Sequence, residues 1–141
     1  MARSYEGKCH CGALGFVYTT SVEPALWQVR SCQCSFCTRH GARCTSDPNG
    51  RLRFSYSEPE LLVRYRFALG TADFILCQRC GVYLGAVIAT RHGSVGILNL
   101  NTLTAELPNI QPATPVFYDA EEKSQRVGRR EKLWTPVEGD A

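Results

Sequence analysis

The chain has 141 residues, 44% of them hydrophobic and 21% charged. Those proportions suit one domain with an ordinary core, and they exclude long disorder, collagen-like repeats and a second domain joined by a linker. The formal charge is a modest +3, while eight cysteines are far more than an average domain of this length carries.

The apolar segments are short and bounded by turn residues. Ala13 to Thr20 and Ala25 to Ser31 read as strands, with Pro24 between them. Ser35 to Asn49 is polar and turn-rich, with room for a short helical turn, and Asp47-Pro48-Asn49-Gly50 is a strong turn signal. Arg51 to Tyr56 is apolar at alternate positions. Leu61 to Leu69, Ala72 to Leu76, Val82 to Ala89 and Val95 to Leu103 follow as further strands. Pro108, Pro112 and Pro115 then punctuate an extended segment, with one more strand at Val116 to Tyr118. No window has the periodicity of a three-turn amphipathic helix, so an all-β fold is expected. The core should run from about residue 5 to 120. Residues 121–141 form a charged C-terminal segment, with 137–141 expected to fray. Arg126 to Lys132 reads as a solvated surface strip, with an anion-binding patch as the alternative.

Met1 to Lys8 lacks the apolar centre of a signal peptide, and Val82 to Ala89 is far shorter than the roughly 18 residues of a membrane span. A reducing, cytoplasmic setting without a membrane is therefore expected. Disulfides are rare there, which leaves metal ligands or reactive thiols.

The cysteine spacing is Cys9-x-Cys11, Cys32-x-Cys34-x-x-Cys37 and Cys77-x-x-Cys80, with Cys44 alone. Two sulfurs this close in sequence can both face one ion, the pattern of metal knuckles. Gly12 follows Cys11 and Gly81 follows Cys80, and each glycine lets the backbone turn so that its amide faces a thiolate. That shared feature pairs Cys9 and Cys11 with Cys77 and Cys80 as a closed four-thiolate zinc site. Cys32, Cys34 and Cys37 remain as three ligands with an open position, the pattern of a catalytic zinc. Cys44 or His40 closing the site, or the site standing empty, are the alternatives. With seven thiolates on two divalent ions the charge of +3 falls to zero, so nucleic acid is not an expected partner. His10 and His92 read as bystanders, Arg39, Arg43 and Arg79 as surface charges beside the knuckles, and Trp27 as core.

The segments Gly7-Lys8-Cys9-His10-Cys11-Gly12-Ala13, Cys32-Gln33-Cys34-Ser35-Phe36-Cys37 and Cys77-Gln78-Arg79-Cys80-Gly81-Val82 resemble the glutathione-dependent formaldehyde-activating family, which includes a centromere-associated branch. The resemblance implies a β-tent fold of small twisted antiparallel sheets. It implies a structural zinc on Cys9, Cys11, Cys77 and Cys80, and a catalytic zinc on Cys32, Cys34 and Cys37. It also implies a carbon–sulfur lyase joining formaldehyde to glutathione as S-hydroxymethylglutathione, with glutathione as co-substrate. The partners expected are thus a small thiol and an aldehyde. The rival reading is a non-enzymatic interaction module stabilised by zinc.

Overall fold

Strands dominate the computed structural model, which describes residues 1–139. In chain order they are β1 (Arg3–Lys8), β2 (Leu14–Thr20), β3 (Arg30–Cys32), β4 (Cys44–Thr45), β5 (Arg51–Tyr56), β6 (Leu62–Tyr65), β7 (Asp73–Cys77), β8 (Tyr83–Thr90), β9 (Gly93–Asn99), β10 (Thr114–Val116) and β11 (Thr135–Pro136). Two helices interrupt them, α1 (Ser35–His40) and α2 (Lys123–Leu133). The expected all-β class is therefore what the chain adopts, with its strands in two sheets.

The smaller sheet has the order β1-β2-β5, all antiparallel. Its alternation is visible in β5, where Leu52 and Phe54 are buried and Arg51, Arg53 and Ser55 are exposed. The larger sheet runs β10-β3-β4-β9-β8-β7-β6, and β11 adds to β9. Its β10–β3 pair is parallel, against the antiparallel expectation. Tyr83 to Ile88 of β8 are buried on both faces, so the strand reads as a continuous apolar run. One face packs Ile75, Leu84 and Leu98 against Leu14, Phe16, Tyr18 and Leu52 of the smaller sheet. The opposite face packs Phe74, Tyr83, Ala86 and Ile97 against Cys37, Cys44 and Trp134. The molecule thus has two cores, one on each side of the larger sheet.

Four segments differ from the sequence reading. The polar strand β1 gave no apolar signal; it forms because β2 pairs with it along its whole length, from Arg3↔Thr20 to Lys8↔Gly15. The expected strand at Ala25 to Ser31 is a 3-10 turn at Pro24–Leu26 followed by β3. Burial of Trp27 explains the break: its ring packs edge-on to Tyr5 and Tyr18, at 4.9 and 5.4 Å, and its Nε1 donates to the Val22 carbonyl at 2.9 Å. Residues 123–133 form an eleven-residue helix where no three-turn helix was expected. Its inward stripe is Val127, Arg130 and the following Trp134, and an arginine in that stripe hides the periodicity. Finally, Val137 does not fray. Its N–H donates to the Ser94 carbonyl at 2.9 Å, and Glu138 N–H donates to the Leu52 carbonyl at 2.8 Å. The last two residues of the frayed expectation, 140 and 141, lie outside the described residues.

Candidate metal centres and the adjoining cavity

Cys9 follows β1, Cys11 sits in the turn to β2, Cys77 ends β7 and Cys80 sits in the turn to β8. Their four sulfurs lie within 4.8 Å of one another. Cys9 Sγ is 3.7 Å from Cys11 Sγ, which is 3.6 Å from Cys77 Sγ. A tetrahedral ion with zinc–sulfur bonds of about 2.3 Å sets sulfurs about 3.8 Å apart, so the four thiols fit zinc. Gly12 and Gly81 adopt φ of +83° and +75°, and their amides close matching turns onto the carbonyls of Cys9 and Cys77. The positive φ is the backbone freedom for which both glycines were singled out, but their amides bond carbonyl oxygens and not, as expected, the thiolates. Leu14 N–H points at Cys9 Sγ from 3.4 Å. Against the upward push of burial, the backbone N–H groups of Cys11 and Val82 draw the Cys80 thiol down to about 6, ready to ionise at neutral pH. Because Cys9 and Cys11 flank the smaller sheet and Cys77 and Cys80 the larger, this cluster staples one to the other.

The second cluster is built within a single turn of chain. Cys32 ends β3, Cys34 caps the N-terminus of α1 and Cys37 lies within it. Cys34 Sγ accepts the Cys37 N–H at 3.3 Å, taking the role of a capping side chain. All three sulfurs lie within 4.8 Å of one another, and among the described residues no fourth histidine, cysteine or carboxylate joins them. The His40 ring instead packs on Phe36, with centroids 4.5 Å apart. Cys44 is enclosed on β4, where burial lifts its thiol to about 12 and keeps it protonated. Within the trio, the contacts with Cys32 and Cys37 draw the Cys34 thiol far down, the contact with Cys34 pushes Cys32 up, and Cys32 and then Cys34 push Cys37 up. A soft divalent cation would displace the thiol protons and draw the three sulfurs to itself as thiolates.

This second cluster forms part of the wall of a cavity of about 260 Å³ on the α2 side of the larger sheet. Apolar walls come from Phe67, Phe74, Ile97, Val116 and Trp134. The charged wall comes from Arg30, Arg126, Arg129 and Arg130, with Glu121 among them. Glu121 accepts from Arg126 Nε at 3.3 Å and from Arg129 Nε at 2.8 Å, and the two guanidiniums hold its carboxyl below the usual range. The supposed surface strip at Arg126 to Lys132 is thus partly interior: Arg126 and Arg129 are half-buried, and Arg130 is buried. Sequence reading missed this set. The signal available was the spacing of Arg126, Val127, Arg130 and Trp134, which share one helical face.

The other residues singled out lie elsewhere. Arg79 makes a two-pronged ion pair with Glu58 at 2.9 and 2.8 Å, Arg39 bonds the Ser35 carbonyl, and Arg43 bonds Asn101. All three are exposed, as are His10 and His92. Trp27 is 2% exposed and belongs to the core between the sheets, as expected.

Fold and clusters together define a two-sheet β-protein organised around two thiol clusters, one of them in the wall of a cavity. The family model described as "Glutathione-dependent formaldehyde-activating enzyme" matches residues 4–120, and the chain belongs to that family. It is also similar to a Rhodobacter sphaeroides protein known from a crystal structure, with 28% identity and a TM-score of 0.58, covering 79% of this chain and 98% of that one. No curated protein matches the sequence. Helix α2, which walls the cavity, begins beyond the stretch matched by the family model.

Proposed function

We propose that this protein is a zinc-dependent carbon–sulfur lyase-type enzyme that joins a thiol to an aldehyde, with glutathione and formaldehyde as the pair its family description suggests. One structural zinc belongs to Cys9, Cys11, Cys77 and Cys80, and a second, exchangeable one to Cys32, Cys34 and Cys37. The observation that carries the reading is the three-thiol cluster set in a cavity wall with no fourth protein ligand among the described residues. A closed structural site uses four ligands, whereas an open fourth position is what a thiol substrate needs. Zinc bound there would lower the pKa of a substrate thiol and polarise a carbonyl oxygen.

The chain's own residues supply the rest. Cys32, Cys34 and Cys37 would each present a thiolate to that ion, and the Cys37 N–H holds Cys34 Sγ in place from 3.3 Å. The cavity walls hold thiol and aldehyde together, which makes their addition effectively unimolecular. Phe67, Phe74 and Trp134 keep bulk water from the reacting atoms. No separate general base is required: the proton lost as the thiol ionises passes to solvent, and the oxygen of the adduct takes one back to become its hydroxyl, so the addition is proton-neutral.

The test is cobalt substitution. Millimolar glutathione should change the absorption of cobalt in the three-thiol cluster, more strongly as pH rises toward the free thiol's pKa of about 8.5. The protein should also speed adduct formation from formaldehyde and glutathione above the uncatalysed rate. Cobalt spectra indifferent to thiol between pH 6 and 9 would favour the interaction-module reading instead.

A further inference from the structure

Arg130 is the most unusual charged residue in the molecule. It is 8% exposed and lines the cavity, yet no carboxylate pairs with it among the described residues. Nη1 donates to Thr71 Oγ1 at 2.7 Å, the guanidinium carbon lies 4.7 Å from the centre of the Trp134 ring, and the buried Nε has no partner. The contrast with its neighbours is direct. Arg126 and Arg129 share Glu121, and Arg129 also stacks on Tyr118 at 3.5 Å. Glu121 is thereby used up. Arg30, which also lines the cavity, donates from Nη2 to Ser46 Oγ at 2.6 Å and likewise has no carboxylate partner among the described residues. Burial, then repulsion from Arg129 and Arg126, brings Arg130 down to about 10, so it remains charged at neutral pH. A buried, unpaired guanidinium is costly unless an anion joins it, and the cavity is where an anion can enter.

The size and lining of the cavity limit what that anion is attached to. At about 260 Å³ it falls below the roughly 300–1,000 Å³ of pockets that enclose drug-sized ligands. Phe67, Leu69, Phe74, Ile97, Val116 and Trp134 give it apolar walls.

The geometry points to a compact apolar monocarboxylate as the component that enters this cavity, with its carboxylate held by Arg130 and its apolar body against Phe74 and Trp134. Arg130 is then a specificity-determining residue. This narrows the thiol–aldehyde reading and rests on it for the reacting groups. The recognition of the carboxylate stands on the cavity alone. Because Arg130 comes from α2, selectivity is set by a segment outside the family-matched stretch.

A probe without thiol or aldehyde separates the two readings. Titration calorimetry of the zinc-loaded protein with 3-phenylpropanoate and with its neutral amide, 3-phenylpropanamide, should show the acid binding at least tenfold tighter, the scale of a hydrogen bond to a charged group. Arg130→Gln should abolish that preference and leave amide binding within a few-fold. Should Arg130→Gln fail to fold, a Trp27→Phe variant leaves Trp134 as the one tryptophan. Its emission should then change with the acid and saturate at the calorimetric Kd. Equal affinity for acid and amide, no binding of the acid, or a Trp134 signal unmoved by it would each overturn the proposal. Cobalt spectra indifferent to thiol would sink the lyase reading and leave carboxylate binding intact.

Discussion

The two cysteine clusters use the same side chain for opposite ends. In the first, Cys11 and Cys77 meet across 66 positions of chain and across two sheets. In the second, every ligand lies between Cys32 and Cys37, on β3 and α1. A cross-link restrains the unfolded chain more the longer the loop it closes, growing with the logarithm of its length, so the first cluster has more to hold together than the second. The second instead faces a cavity. Ligand number follows the same division: four thiols satisfy a tetrahedral ion, and three leave a place for something else. Sequence separation between ligands thus distinguishes a staple from a workplace.

The strongest way to break this comparison is Cys77→Ser. If the first cluster staples the sheets, the variant should lose that zinc and most of its tertiary packing. Zinc contributes about 10 kcal/mol or more in small zinc peptides, beyond the stability of most domains. Metal analysis and near-ultraviolet circular dichroism would read it. Unchanged zinc content and melting temperature would remove the staple.

Next in size is Trp134→Ala, which empties the anchor of α2 beneath the second core. The expected cost is about 3–5 kcal/mol by denaturant unfolding, with the first cluster's zinc retained. Simultaneous loss of that zinc would show that the two cores are not separable.

A smaller effect should follow from Glu121→Gln, which removes the carboxylate shared by Arg126 and Arg129. A loss of about 1–2 kcal/mol is expected at pH 7. The folded pKa of Glu121 is depressed, so its contribution is complete above the unfolded value of 4.5 and disappears as pH falls through the folded one. Wild type and variant should therefore draw together in stability as pH falls below 4.5. A constant gap from pH 7 to pH 3 would contradict the charge-based account.

Smallest in stability, and sharpest in function, is Cys34→Ala. It deletes a helix cap worth about 0.5–1 kcal/mol and one ligand of the open cluster. The protein should keep its fold and one zinc per chain while losing the cobalt response to thiol. Unfolding as ready as that of Cys77→Ser would erase the distinction between the clusters.

Much of the cysteine geometry was legible in the sequence because it is local. The grouping of Cys9, Cys11, Cys77 and Cys80 followed from Gly12 and Gly81, whose positive φ is a backbone requirement that one residue type meets easily. Cys32, Cys34 and Cys37 were set apart by elimination, and they meet in space. What escaped is tertiary. Strand β1 is polar along most of its length and owes its conformation to β2. Helix α2 was hidden because Arg126 and Arg130 occupy positions where periodicity seeks apolar residues, and those same arginines wall the cavity. The feature that disguised the helix is the one that suits it to bind an anion.

The chain order of the cavity walls has a consequence for synthesis. Everything the first cluster needs has been made by Cys80, and its loop can close while the rest of the chain is still to come. The second cluster's sulfurs are available earlier still, but their enclosure waits for β10, α2 and the return of β11 to β9. During translation the three thiols of Cys32, Cys34 and Cys37 therefore face solvent until α2 and β11 dock, and the end of β11 at Pro136 is made roughly three to eleven seconds after Cys80 at about 5–20 residues per second. The order of the sequence leaves the three thiols open first and walls them in second, so a metal ion would have access to a nascent chain before the cavity forms.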